Sequence, residues 1–324
     1  MRALICHEYG DPELLSVDEI AEPEPGAGQV SIDVDAAGVS YVDTLIIRNM
    51  HQVKHELPFS PGREVAGRIR ALGPGVSGLQ PGQRVAAILD KGGHAECAVA
   101  PAAETFACPD GCEALDAGGH MSVYLTAWLA LKERAALQPG QRVLVLGAGG
   151  GTGLAAVDCA HKLGAEVIAA ASSDTRLQVA RTLGEPHLLN YSEQSLDDAV
   201  KEIWPEGADI VFDPVGGALF EPANRSLGWN GSYLVIGFAG GAVPQFAANR
   251  LLVKNRSALG FILMYYRKER PDLLRAGAAE VLAGFADGSL NPQTTEVGGL
   301  DDAARMLRAI MDRTMVGKGV LRLG

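Results

Sequence analysis

The sequence lacks any run of about 18 apolar residues, the length a helix needs to cross a bilayer, so a membrane-spanning helix is excluded. It is also short of basic residues. Lys and Arg number 28 against 39 Asp and Glu, a formal net charge of −11. An acidic surface repels phosphate backbones and anionic headgroups, so neither nucleic acid nor a membrane surface is an expected partner. Cysteine is sparse: five residues at irregular positions make no disulfide framework and suit reduced thiols. The first residues, "MRALICHEYGDPELL", have neither the apolar core nor the small-residue cleavage site of a signal peptide, and the expected location is the cytoplasm. Repeats and low-complexity linkers are missing too. What is present is 47 % hydrophobic and 21 % charged over 324 residues, enough for two ordinary domains or one large one. The 40 glycines follow no period and so mark turns and close approaches.

Up to about residue 120 the chain reads as β-rich. Short apolar runs such as "QVSIDVDAAGVS", "VAGRIRAL" and "RVAAIL" alternate with Gly and Pro clusters, the pattern of a compact barrel-like β domain. From about 122 to 260 the rhythm changes to alternating strand and helix. "RVLVLGA", "EVIAAAS", "PHLLNY", "ADIVFDPVGG" and "GSYLVIGFA" read as strands, with helical patterns between them. Such alternation predicts βαβ units on a parallel sheet covered on both faces. The chain then returns to helix and ends with a short strand, "GKGVLRL". A nucleotide domain spanning 122–261 is therefore expected to be inserted into a domain built from 1–121 plus 262–324.

The segment "LGAGGGTGLAA", 146–156, follows a strand and opens a helix. Ala148, Gly150 and Gly153 give A-x-G-x-x-G, one step from the usual dinucleotide fingerprint. Gly149 and Gly150 are expected to admit a pyrophosphate, with Thr152 beside it, and Gly153 to let the helix pack on its strand. The helix N-terminus supplies free N–H groups and partial positive charge to the phosphates. At the end of the second strand an NAD site usually carries an acid. Here Ser172-Ser173 stand there, followed by Arg176. Small hydroxyls and a guanidinium fork suit a 2′-phosphate, so NADPH is expected ahead of NADH. Arg176 is alternatively a solvated helix residue. Asp174 lies past the strand end, where it can start the next helix.

These segments, with "AAGVSYVDTLI", "LPFSPGREVAGRI", "GPGVSGLQPGQRVAA", "YLTAWLAL", "VFDPVGG", "YLVIGFA" and "GKGVL" in this order, cover nearly the whole chain. The array resembles the zinc-independent quinone oxidoreductase branch of the medium-chain dehydrogenase/reductase superfamily. The resemblance implies a Rossmann doubly wound parallel sheet inserted into a GroES-like, β-rich catalytic domain. It also implies an active site in the cleft between them and a homodimer formed through the Rossmann domain near "RSALGFIL".

Alcohol dehydrogenases of that superfamily hold a catalytic zinc with Cys and His, and the matching positions here are Ser40 and Arg63. A hydroxyl and a guanidinium do not replace thiolate and imidazole on zinc. Without a Lewis acid alcohol oxidation is disfavoured, whereas quinones and conjugated enones need less polarisation. A structural zinc on His94, Cys97, Cys108 and Cys112 is weighed on spacing alone, but the stretch "GGHAECAVAPAAE" reads as a strand and the superfamily's four-cysteine lobe is missing. No metal is expected.

In the family the region "GVSYVDTLIIRNMHQVK" lines the nicotinamide and carries an Asn and a Tyr; Ser40 and His51 take those places. His51 reads either as the donor to the acceptor oxygen or as a surface histidine on a loop. Tyr41 reads as a stacking or core residue, and Asp43 as a helix-start residue and pocket wall. The resemblance further implies that Thr126 reaches the nicotinamide carboxamide and Tyr191 stacks near the adenosine phosphate. It places Pro214, Phe238 and Ala239 at carboxyl strand ends, Phe261 and Leu263 over the nicotinamide, and Lys318 at the closing of the cleft. For Phe261, Leu263 and Phe238 core packing is the alternative. The function expected is NADPH-dependent hydride transfer to a small-molecule quinone or α,β-unsaturated carbonyl. An enoyl-thioester reductase and a low-turnover NADPH-binding sensor are the alternatives.

Overall fold

Strand Lys318–Arg322, from one end of the chain, pairs antiparallel with strand Gln29–Val39 near the other, with Gly319 opposite Val39 and Arg322 opposite Ala36. That pairing explains how residues far apart in sequence share one unit. The computed structural model describes all 324 residues and divides into Met1–Ser122 with Arg275–Gly324, and Val123–Leu274. Helix Leu263–Glu269 stays with the second unit, so that unit runs past the 261 boundary read from sequence; Phe261 and Tyr266 pack ring on ring there at 4.9 Å.

In the first unit a seven-stranded sheet is organised around Gln29–Val39. That strand pairs with Glu64–Leu72, with Cys97–Pro101 and with the C-terminal strand. Alternate residues Val30, Ile32 and Val34 enter one core with Val65, Ile69, Val85, Ala87 and Leu89. Helix Ala303–Met311 closes this core because Ala303, Met306, Leu307 and Ile310 fall on one helical face. Its Arg308 stands off that face and holds Glu13 and Asp11.

The second unit is a six-stranded parallel sheet. Its strands are β1 (Arg142–Leu146), β2 (Glu166–Ala171), β3 (His187–Asn190), β4 (Ala208–Asp213), β5 (Leu227–Val235) and β6 (Ser257–Gly260). They lie in the order β3-β2-β1-β4-β5-β6, all parallel. This is the doubly wound order in which the chain reverses direction across the sheet between β1 and β4. After their first residues, Arg142 and Glu166, β1 and β2 are unbroken apolar runs because both faces are covered. Helix α1 (Gly151–Lys162) has every residue from Gly153 to Ala160 buried, and Gly164 at φ +83° ends it.

One charged pair lies deep in the first unit. Lys318 Nζ donates to Glu64 Oε1 at 2.7 Å, with both side chains nearly inaccessible at 4 % and 2 %. Glu64 Oε2 accepts the backbone N–H of Ser122 at 2.7 Å, so both carboxylate oxygens are engaged. Beside them His120 meets Thr294 Oγ1 at 2.8 Å, and burial, aided by Lys318, pushes its pKa down to about 3, so the ring stays neutral. Removing one member of a buried pair leaves the other desolvated and unmatched, at a cost of about 3–5 kcal/mol. Lys318→Met is therefore expected to lower the unfolding free energy by about that much in urea titration, with much of it restored in Glu64→Met/Lys318→Met. A loss below about 1 kcal/mol, the worth of an exposed pair, would contradict the burial argument.

Candidate functional site

The carboxyl end of β1 runs into Gly147, which adopts φ +62°, and α1 begins four residues later with Gly150 as its N-cap. A Cβ on Gly153 would sit 2.2 Å from the carbonyl oxygen of Gly147, so only glycine lets the first turn of α1 lie on the loop. Ala148, the departure from the usual first glycine, is buried and donates its N–H to Ala170 on β2 at 3.0 Å. A Cβ on Gly150 would meet only the Gly147 oxygen, at 3.7 Å, which leaves the backbone approachable. Thr152, half-buried, stands in the first turn of α1, where N–H groups have no partner within the helix. Gly149 has a second use. Its missing Cβ accommodates the stem of Arg176, whose Cβ would otherwise lie 2.4 Å away.

β2 ends at Ala171, and Ser173 is the N-cap of the helix Asp174–Ala180 that carries Arg176. Asp174 does not point an unmatched carboxylate at this strand end: its Oδ1 accepts from Asn190 Nδ2 at 3.0 Å. Ser192 Oγ donates to the carbonyl of Ser172 at 2.9 Å, and the N–H of Tyr191 to that of Ala171 at 3.1 Å, which brings the end of β3 beside the end of β2.

β4 ends in the buried Asp213. Its Oδ1 accepts the N–H groups of Val215 and Gly216, each at 2.8 Å, an Asx turn that bends the chain at Pro214. Oδ2 accepts the Tyr233 hydroxyl at 2.7 Å. Burial pushes the Asp213 carboxyl up, against the downward pull of these three donors; the phenol of Tyr233 is pushed up by burial and by Asp213 and stays a donor. The turn abuts the glycine loop, since a Cβ on Gly147 would meet Val215 Cγ2 at 2.8 Å and Pro214 Cγ at 3.7 Å. Ala239 donates back to Pro214 at 3.2 Å, and Phe238, 41 % exposed, lies beside Gly216. The structure thus brings Gly149, Gly150, Gly153, Ser172, Ser173, Arg176, Tyr191, Pro214, Phe238 and Ala239 to one carboxyl edge, at the point where strand order reverses. Leu263 opens the helix after β6, Phe261 is buried against Tyr266, and Thr126 is half-buried in helix Ala114–Leu129.

In the first unit Ser40 is the N-cap of helix Tyr41–Ile47, and it forms a capping box with Asp43. Ser40 Oγ and N both donate to Asp43 Oδ2, at 2.7 and 2.8 Å, and Gly62 N–H reaches Oδ1 at 3.3 Å. Asp43 is fully buried with both oxygens engaged, which makes it an anchor between the helix start and the loop of Arg63. Tyr41 is 40 % exposed. His51 is half-buried, and its Nδ1 lies 3.2 Å from the N–H and 3.4 Å from the carbonyl oxygen of Val53, accepting from the first in one tautomer and donating to the second in the other. Burial and then Arg63 lower its pKa, and the ring is neutral near pH 7. Lys318, read as closing a cleft, is instead buried on Glu64.

His94 Nε2 faces the carbonyl of Gly38 at 3.0 Å, and no group of three or more His, Cys, Asp or Glu side chains is placed to hold a metal ion. Two residues escaped the sequence reading. Asp213 carried a signal, an acid directly before Pro-Val-Gly-Gly. Glu64 carried none, because its partner is 254 residues away.

Residues 26–134 match the alcohol dehydrogenase GroES-like domain and residues 151–279 the zinc-binding dehydrogenase domain. The chain is 36 % identical over 324 residues to a quinone oxidoreductase-like protein 2 homolog of Nematostella vectensis, covering 99 % of this chain and 88 % of that one. It is 35 % identical to quinone oxidoreductase-like protein 2 of Rattus norvegicus, covering 99 % and 92 %. A mycobacterial protein solved in complex with NADPH superposes with a TM-score of 0.91 at 29 % identity, covering 99 % of both chains. With the parallel sheet, the glycine loop and the β-rich unit in place, the chain belongs to the quinone oxidoreductase-like proteins of the medium-chain dehydrogenase/reductase superfamily.

Proposed function

We propose that this protein is an NADPH-dependent reductase of quinones or α,β-unsaturated carbonyls that works without zinc. The observation that carries the cofactor half is the stem of Arg176 lying across Gly149, beside a strand end that offers Ser172 and Ser173 and no unmatched acid. The cradle fits a dinucleotide: Gly150 leaves the backbone approachable, and the first turn of α1 presents free N–H groups. In this reading those N–H groups hold the pyrophosphate, and Arg176, Ser172 and Ser173 hold the 2′-phosphate. Tyr191 covers the adenosine side; Pro214, Phe238, Ala239, Thr126, Phe261 and Leu263 shape the nicotinamide side. Bound NADPH supplies a hydride for an electron-poor acceptor.

A catalytic zinc does not suit the residues at its usual positions. The hydroxyl of Ser40 already donates to Asp43, and Arg63 offers only donors. In this reading His51, neutral near pH 7, accepts from Val53 through Nδ1, carries its proton on Nε2 and donates a hydrogen bond to an acceptor oxygen as negative charge grows on it. Tyr41, partly exposed, offers a face to a flat acceptor. Chelator-treated protein is expected to consume NADPH only when a quinone or enone is added, at the untreated rate. Tight NADPH binding without consumption across such a panel would contradict the proposal. His51→Phe is expected to lower kcat about tenfold, or roughly 1.4 kcal/mol, with KM for NADPH unchanged. Because the ring is already neutral, kcat should stay flat from its ordinary pKa of 6.5 upward. An unchanged kcat would remove His51 from the reaction.

We also propose a homodimer through β6. This edge strand is paired only with β5, and the preceding helix Ala248–Lys254 exposes Leu252 and Val253. An open edge is completed when a second copy continues the sheet. Light scattering should give about twice the 33.9 kDa of one chain, and a monomer mass would contradict it.

A further inference from the structure

Outside the site just described, one pair of nucleophilic side chains has been brought together by the fold. Cys108 and Cys112 flank the turn Pro109-Asp110-Gly111, in which Cys112 N–H returns to the carbonyl of Pro109 at 3.2 Å and Gly111 adopts φ +88°. Both cysteines are tied to the same residue of a neighbouring strand. Cys108 N–H donates to the carbonyl of Arg84 at 3.0 Å, and the Arg84 guanidinium donates to the carbonyl of Cys112. The adjoining strand Thr105–Ala107 is itself paired with Arg84–Ile88, so the base of the turn is fixed from three sides. Within this clamp each thiol shifts the other, Cys108 upward and Cys112 downward, while Cys112 Sγ also reaches the carbonyl of Glu113 at 3.9 Å.

Three properties follow from that geometry. The two cysteines stand at the two ends of one hydrogen-bonded turn and need no rearrangement of distant elements to join. They differ in access, since Cys112 is buried and Cys108 is partly exposed. They also titrate together: Cys108 lowers the Cys112 thiol, and Cys112 together with burial raises Cys108. The other cysteines, Cys6, Cys97 and Cys159, are buried, and burial raises each of their thiols.

We propose that Cys108 and Cys112 are a redox pair that a hydroperoxide closes to a disulfide, a covalent modification site in the first unit. The sulfur of the partly exposed Cys108, its proton passed to the Cys112 thiolate, attacks the peroxide oxygen. An S–O bond forms, the O–O bond breaks, and with hydrogen peroxide hydroxide leaves. Cys112 Sγ then attacks Cys108 Sγ and displaces the second hydroxide as water. The sum is two thiols and one hydrogen peroxide giving one disulfide and two waters, the sulfurs losing two electrons and the peroxide gaining them. An external dithiol reverses the change.

The test treats the native protein with hydrogen peroxide, removes the excess, denatures it and blocks remaining thiols with N-ethylmaleimide before intact mass measurement. Of five free cysteines two should be joined, so the protein should carry three adducts and be two hydrogens lighter, reverting to five adducts after dithiothreitol. Cys108→Ser should keep all four of its remaining thiols. Cys112→Ser should instead trap dimedone on Cys108, the sulfenic acid left without its partner. Five adducts in the oxidised wild type, added oxygen in place of lost hydrogen, or a disulfide that persists in Cys108→Ser would each overturn the proposal.

Discussion

The close approach of Gly153 to the carbonyl of Gly147 is the contact on which the second unit's site depends. With a methyl group there, α1 would have to lift away from the end of β1, and its first-turn N–H groups would no longer face the space beyond the strand. The same loop makes two more demands. Gly149 gives room to the stem of Arg176, and Gly147 gives room to Val215 and Pro214 on the neighbouring turn. Three glycines thus set the spacing between the ends of β1, β2 and β4. Asp213 holds the third of these ends in shape by accepting two backbone N–H groups and the Tyr233 hydroxyl. A carboxylate that receives three hydrogen bonds can remain charged in the interior, where an unmatched one cannot.

The first unit relies on a different device. Its sheet joins residues from both ends of the chain, and the buried pair of Lys318 and Glu64 lies where those two contributions meet. A buried ion pair is weak evidence for net stability, but it is strong evidence for registry, because a shift would strand both charges. Asp43 plays a comparable part on a smaller scale. It caps the helix that begins at Tyr41 and ties that start to the loop bearing Arg63.

How much of this was legible in the sequence follows the range of each interaction. The parallel sheet was legible because buried strands are continuous apolar runs, and the loop because strand, glycines and helix are contiguous. Asp43 was legible as a helix-start residue for the same reason, since its partner Ser40 lies only three positions before it. Lys318 was misread because its partner lies 254 residues away, and a lysine near a cleft motif looks like a ligand contact until its carboxylate is found. His51 was read with an ordinary pKa; burial and the nearness of Arg63, which only folding creates, lower it. Asp174, read as able to start the next helix, also has a contact invisible in sequence, its hydrogen bond from Asn190 on the next strand.

The most direct test of this account is a fluorescence titration of NADPH and of NADH against the wild-type protein and Arg176→Ala. The account predicts that wild type binds NADPH at least about tenfold more tightly than NADH, roughly 1.4 kcal/mol, and that the substitution removes the difference by weakening NADPH alone. Equal affinity of wild type for the two cofactors, or an NADPH affinity untouched by Arg176→Ala, would contradict it.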